Sequence, residues 1–166
     1  MEHAAFEPPL SDEQLKELGR LVINFGFVEF LVGLHVSMLL EIPFAARRVL
    51  VHPLPTRRKT DILRERLTKI PGEETRGLVE EACKLIDPSI RERNILLHGI
   101  WGFDGPEPHG KPVVAPTKET RSQRRPEDVT KYADIFAIAS RKLKHAITVD
   151  SGQTAVEEAE RLVIVP

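Results

Sequence analysis

Thirteen prolines set where this chain of 166 residues can be helical. Proline inside a helix removes a backbone donor and clashes with the preceding turn. Long proline-free runs remain at 10–42, 56–70, 72–87, 89–105 and 127–165. The first opens on Ser11-Asp12-Glu13-Gln14, a capping signature with acids in the first turn, and predicts a helix from about 12 to 41. Gly26 and Gly33 there allow close approach by a neighbour. The segment 43–55 carries three prolines and reads as a connection. A second helix is expected at 56–70, with Ile62, Leu63, Leu67 and Ile70 inward, stopped by Pro71-Gly72. In 73–87, Leu78, Ala82 or Cys83, Leu85 and Ile86 fall at helical spacing. Asp87-Pro88 either begins a new helix or kinks one long helix, and the chain reads helical again to about 99.

Beyond Gly99 the character changes, with three glycines and five prolines in 102–126. Ile100-Trp101 and Val113-Val114 are candidates for a short hairpin around Asp104-Gly105. Pro126-Glu127-Asp128 opens a last helix through Ile135, Ala139, Leu143 and Ile147. Residues 151–166 read as a tail, with a short helix near 156–162. The expected fold is all-α: a four- to five-helix bundle over 11–150, with a small β-hairpin or loop insertion at 102–126 after the third helical region.

The first helix raises a membrane question, since between Leu21 and Leu40 the clearly polar residues are Asn24, Glu29, His35 and Ser37. About 20 apolar residues span a bilayer, but Glu29 costs roughly 3 kcal/mol near the centre of such a span. A helix apolar on all sides also suits the middle of a bundle or a dimer interface. The expectation is therefore no membrane.

Charge is balanced, 24 basic against 25 acidic residues, which argues against a globally basic nucleic-acid-coating protein or an acidic disordered one. The single cysteine, Cys83, excludes an intramolecular disulfide and a cysteine-based zinc cage, and fits a reducing compartment. No basic segment followed by an apolar one marks a signal peptide at the N-terminus, so a cytoplasmic location is expected.

Six histidines form no His-x-His or His-x-x-x-His pair, so no metal and no cofactor is expected. Phosphate-binding loops, dinucleotide fingerprints and the nucleophile elbow of serine hydrolases are missing. The informative stretch is Arg91-Glu92-Arg93-Asn94-Ile95-Leu96-Leu97-His98-Gly99-Ile100-Trp101. On a helix, Ile86, Ile90, Arg93, Leu97 and Ile100 share one stripe, so Arg93 holds an apolar position. That is costly unless the charge is paired or faces a cleft. Asn94, His98 and, if the helix persists, Trp101 share the adjacent stripe. Asn94 can reach the His98 imidazole and orient it, and Gly99 lets the chain leave beside the ring. A half-buried cation, an oriented histidine and an indole together suit a phosphodiester. The bland reading makes His98 a cap, Arg93 an interface ion pair and Trp101 core.

The run Arg93-Asn94-Ile95-Leu96-Leu97-His98-Gly99 resembles the signature of HEPN-domain proteins: an arginine, a polar residue directly after it, and a histidine after a gap of four to six. The resemblance extends coarsely over 11–150, with a long apolar first helix, a basic second helix, the motif late in a third helical region and a closing helix. It implies a homodimer in which two motifs meet across a two-fold cleft and cut RNA without metal. By that resemblance His98 is general base or acid, Arg93 stabilises the charged phosphorane and Asn94 orients or contacts phosphate. Spacing fits a composite site, because Arg93 and His98 stand about 140° apart on a helix. Glu29 is a candidate counter-charge for Arg93, or else for another basic residue.

Arg57 and Arg58, with Lys59, Arg64 and Arg66, are candidate RNA contacts. Further basic clusters lie at Arg121-Arg124-Arg125 and Arg141-Lys142-Lys144. Trp101 is a candidate base platform. The leading expectation is a metal-independent endoribonuclease, a toxin or defence effector with RNA, a second copy and an antitoxin protein as partners. The alternatives are a non-catalytic HEPN-like module that binds nucleotides or partners, and a structural helical dimer.

Overall fold

A computed structural model of the chain describes residues 10–104, 111–115 and 124–151. Its elements are α1 (Asp12–Leu39), α2 (Phe44–Leu50), α3 (Thr56–Glu65), a 3-10 turn (Leu67–Lys69), α4 (Glu73–His98), β1 (Ile100–Asp104), β2 (Lys111–Ala115) and α5 (Pro126–Ser151). The described residues are mostly helical, with one small two-stranded sheet.

α1 starts at the expected capping box. Ser11 N donates to Gln14 Oε1 at 2.9 Å, and Gln14 N donates back to Ser11 Oγ at 3.3 Å. Its inner stripe, Leu21, Phe25, Val28, Val32 and Val36, is buried. α5 lies along both α1 and α4. Ala133, Ala139 and Ala146, fully buried on α5, leave room for that double contact. Phe25 and Phe136 meet edge to face, with ring centroids 5.0 Å apart. α1 is long and apolar enough to cross a membrane, and half of its most apolar window is buried inside the protein.

Two boundaries differ from expectation, and a third resolves between two readings. The segment 43–55 is not only a connection: it contains α2, a two-turn helix starting just after Pro43. The second helix ends at Glu65 and tightens into the 3-10 turn, which still delivers Ile70 to the core. α4 runs unbroken through Pro88, so the single-helix alternative holds. Two hydrogen bonds anchor that stretch, one within the helix and one from α3: Ser89 Oγ donates to the Leu85 carbonyl at 2.8 Å, and Thr60 Oγ1 donates to Asp87 Oδ1 at 2.6 Å. Arg64 also pairs with Asp87.

The hairpin forms where the apolar pairs suggest, antiparallel and in register with Trp101 opposite Val114. A backbone bridge between Val114 and Arg124 and the Arg124–Glu92 ion pair fasten it to α4. Gly99 leaves the helix at φ −73°, ψ 167°, extended backbone open to any residue, so the exit does not need glycine's freedom. A Cβ added at Gly33 would meet Val51 Cγ1 at an ordinary 3.8 Å, and one at Gly26 would meet nothing within 4 Å, so Gly26 is not a close-packing site. The suggested helix at 156–162 lies outside the described residues.

Candidate functional site

The last two turns of α4 carry the site. Arg93 is half-buried, its guanidinium carbon 4.1 Å above the centre of the Phe25 ring. One of its terminal nitrogens, Nη1, donates to Asn94 Oδ1 at 2.9 Å and faces His98 Nε2 at a long 3.4 Å. Its Nε is buried with no hydrogen-bond partner. Burial pushes the Arg93 pKa down from the usual arginine value, and the charge of Glu29 opposes that shift. The apolar stripe position thus becomes a cation seated on an aromatic face.

Two expectations are corrected. Asn94 does not hold the imidazole; it accepts from Arg93, and Arg93 is the residue beside His98. The 140° separation along the helix does not keep Arg93 and His98 apart, because the arginine stem is long enough to bring Nη1 to the ring within one chain. Spacing therefore supplies no reason for a composite site.

Asn94 and His98 line a cleft of about 590 Å³ together with Arg57, Arg91 and Asp87. Arg57, on the first turn of α3, is thus brought to the same cleft as Asn94 and His98. Arg58 turns elsewhere and pairs with Glu65 at 3.3 Å. Trp101 does not continue the Asn94–His98 stripe, because α4 stops at His98. Its indole Nε1 instead donates to the Leu96 carbonyl at 3.1 Å, and the ring packs half-buried against the core. Arg91 and Phe25 were not singled out from sequence. Arg91 sits one turn from Asn94 on the cleft side, and Phe25 looked like one apolar residue among many in α1.

Each basic cluster has a member drawn into an ion pair. Arg64 engages Asp87, Lys142 engages Glu81 at 2.5 Å, and Arg124 engages Glu92, Nη2 to Oε1 at 2.9 Å. Arg121 lies outside the described residues. Glu29 accepts from Thr56 Oγ1 at 2.5 Å, and its charge opposes the downward pKa shifts of both Lys59 and Arg93. Among the described residues, no three His, Cys, Asp or Glu side chains stand close enough to share a metal ion.

No family model, no curated protein and no solved structure matches this chain.

Proposed function

We propose that the chain is a HEPN-like, metal-independent endoribonuclease that acts as a cytoplasmic toxin or defence effector in homodimeric form, with an antitoxin protein as a further partner. The observation that carries this reading is the Arg93–Asn94–His98 cluster at the edge of a cleft that also presents Arg57 and Arg91. In the proposed reaction a ribose 2′-oxygen attacks the adjacent phosphorus and the 5′-oxygen leaves, giving a 2′,3′-cyclic phosphate and a 5′-hydroxyl. His98 takes the proton from the attacking oxygen or supplies one to the leaving oxygen. A phosphate that reaches the imidazole is within a few ångströms of the Arg93 guanidinium, whose charge then opposes the negative charge building on the phosphorane. Arg57 and Arg91 receive flanking phosphates as charge partners. The exposed apolar side chains Ile23, Phe44 and Val49 are 72%, 63% and 73% accessible, which supports a second copy as the element that covers them.

A second reading, the non-catalytic binding module, is favoured by one detail. When His98 Nε2 accepts from Arg93, its lone pair is engaged and cannot take a substrate proton until the ring turns. The substrate decides between the two. The ribonuclease reading expects cleavage products ending in 2′,3′-cyclic phosphate and no cleavage at a position whose ribose is replaced by 2′-deoxyribose. Products bearing 3′-hydroxyls, or unaltered cutting of the deoxy-substituted strand, would exclude attack by the 2′-oxygen.

A further inference from the structure

Away from the cleft, α1, α2 and the segment leading into α3 enclose a second, smaller cavity of about 150 Å³, lined by Gly26, Glu29, Arg47, His52 and Lys59 among others. That is the volume of about five water molecules. Two cations reach it from different elements. Lys59 is 4% exposed, yet its ammonium makes one hydrogen bond, to the His52 carbonyl at 3.3 Å. Arg47 is half-buried with its guanidinium 4.6 Å from the centre of the Phe30 ring and 5.7 Å from that of Phe44. Its Nη1 is buried with no hydrogen-bond partner.

Buried cations ordinarily sit against a carboxylate, since removing a charge from water without a partner is costly. Here Glu29 is the lining carboxylate, and Thr56 already donates to it. Burial pushes the pKa values of Arg47 and Lys59 down; Glu29 opposes the shift at Lys59, whereas no opposing carboxylate acts on Arg47. The cavity therefore holds more positive than negative charge, with unused donors on both cations.

We propose that this cavity is a binding site for a phosphate-sized oxyanion, either free phosphate or the terminal phosphate of a nucleotide, held by Arg47 and Lys59. The anion accepts from the unpartnered Arg47 Nη1 and from the two ammonium donors that Lys59 leaves unused, and its charge completes the pairing that Glu29 begins. The site is independent of the ribonuclease reading, because neither cation lines the RNA cleft.

The test is calorimetric titration of the wild-type protein with sodium phosphate and, separately, with a nucleoside 5′-monophosphate. Sodium chloride of equal ionic strength is the control. Arg47→Met and Lys59→Met, which keep the apolar stems and remove the charges, are titrated alongside, with folding checked by circular dichroism. The expected result is one site per chain, weakened at least about tenfold in either variant. Tighter binding of the monophosphate identifies a nucleotide as the source of the phosphate, and equal or weaker binding identifies the free ion; both support the site. Lack of phosphate-specific heat with either ligand on the wild-type protein overturns the proposal. So does binding that both Met variants retain, which would leave Arg47 and Lys59 as structural cations held by the rings and by Glu29.

Discussion

The contact between Arg93 and Phe25 should be measurable as a coupling energy. Phe25 is 3% exposed and makes two ring interactions at once, edge to face with Phe136 and face-on to the Arg93 guanidinium. Replacing it by leucine removes the aromatic pair, about 0.5–1.5 kcal/mol. It also removes the cation–ring contact, about 0.5–2 kcal/mol at a partly desolvated site, and leaves some cavity cost of about 1 kcal/mol. The single substitution should therefore destabilise the fold by about 2–4.5 kcal/mol. Arg93→Met keeps the stem and removes the charge. In a double-mutant cycle by urea unfolding, Phe25→Leu and Arg93→Met should couple by about 1 kcal/mol, because the second change costs less once the first is made. Coupling with Phe136 contributes nothing to that cycle. Additivity of the two changes to within about 0.3 kcal/mol would mean that the guanidinium does not rest on the ring, and the account of how Arg93 tolerates its apolar position would fail.

Other consequences follow from the same structure. The Arg124 guanidinium holds the Glu92 carboxyl below the usual glutamate range, so its folded pKa is depressed. The ion pair's contribution is then present above the unfolded value of about 4.3 and lost as pH falls through the folded one. The stability advantage of wild type over Glu92→Gln should be steady near neutrality and vanish on acidification, as read by urea unfolding at a series of pH values. An advantage that grows on acidification would reverse the argument. Cys83 is fully buried and its thiol is pushed up to about 11 by burial, so a disulfide reagent at neutral pH should label it only at the rate of unfolding; fast labelling of the native protein would contradict the packing. Thr60 is buried, and its one hydroxyl proton is shared between Asp87 Oδ1 and the Arg57 carbonyl. Thr60→Val should cost about 1–3 kcal/mol by removing that donor, and a neutral thermal shift would show that water replaces the hydroxyl.

Much of the helical layout was legible because its signals are local. Ser11 and Gln14 cap α1, Pro126 and the acids after it open α5, and the apolar pairs on either side of Asp104 mark the hairpin. α2 was hidden between Pro43 and Pro53, since its ordering comes from contacts that pattern does not reveal, such as Arg47 lying over Phe30 of α1. Whether Pro88 would break α4 depended on Asp87 being gripped from α3, a tertiary contact. Within the site, the residue types and their helix were readable, but the pairing was not. Stripe geometry assigns directions to Cβ atoms, and an arginine long enough to lie back over Phe25 reaches a neighbour that its Cβ does not face. Trp101 followed the end of the helix rather than its stripe. Arg91 carried no signal of its own beyond its place at the start of the 91–101 stretch.

The proposal that Arg93 and His98 are the reacting pair of a metal-independent ribonuclease is tested by RNA cleavage by the purified protein in EDTA. Folded Arg93→Ala and His98→Ala variants are run in parallel. Wild type should cleave in the chelator, with a loss of about a hundredfold or more in each variant. Intact RNA after exposure to a well-folded wild-type protein, or cleavage that both variants retain, would contradict it.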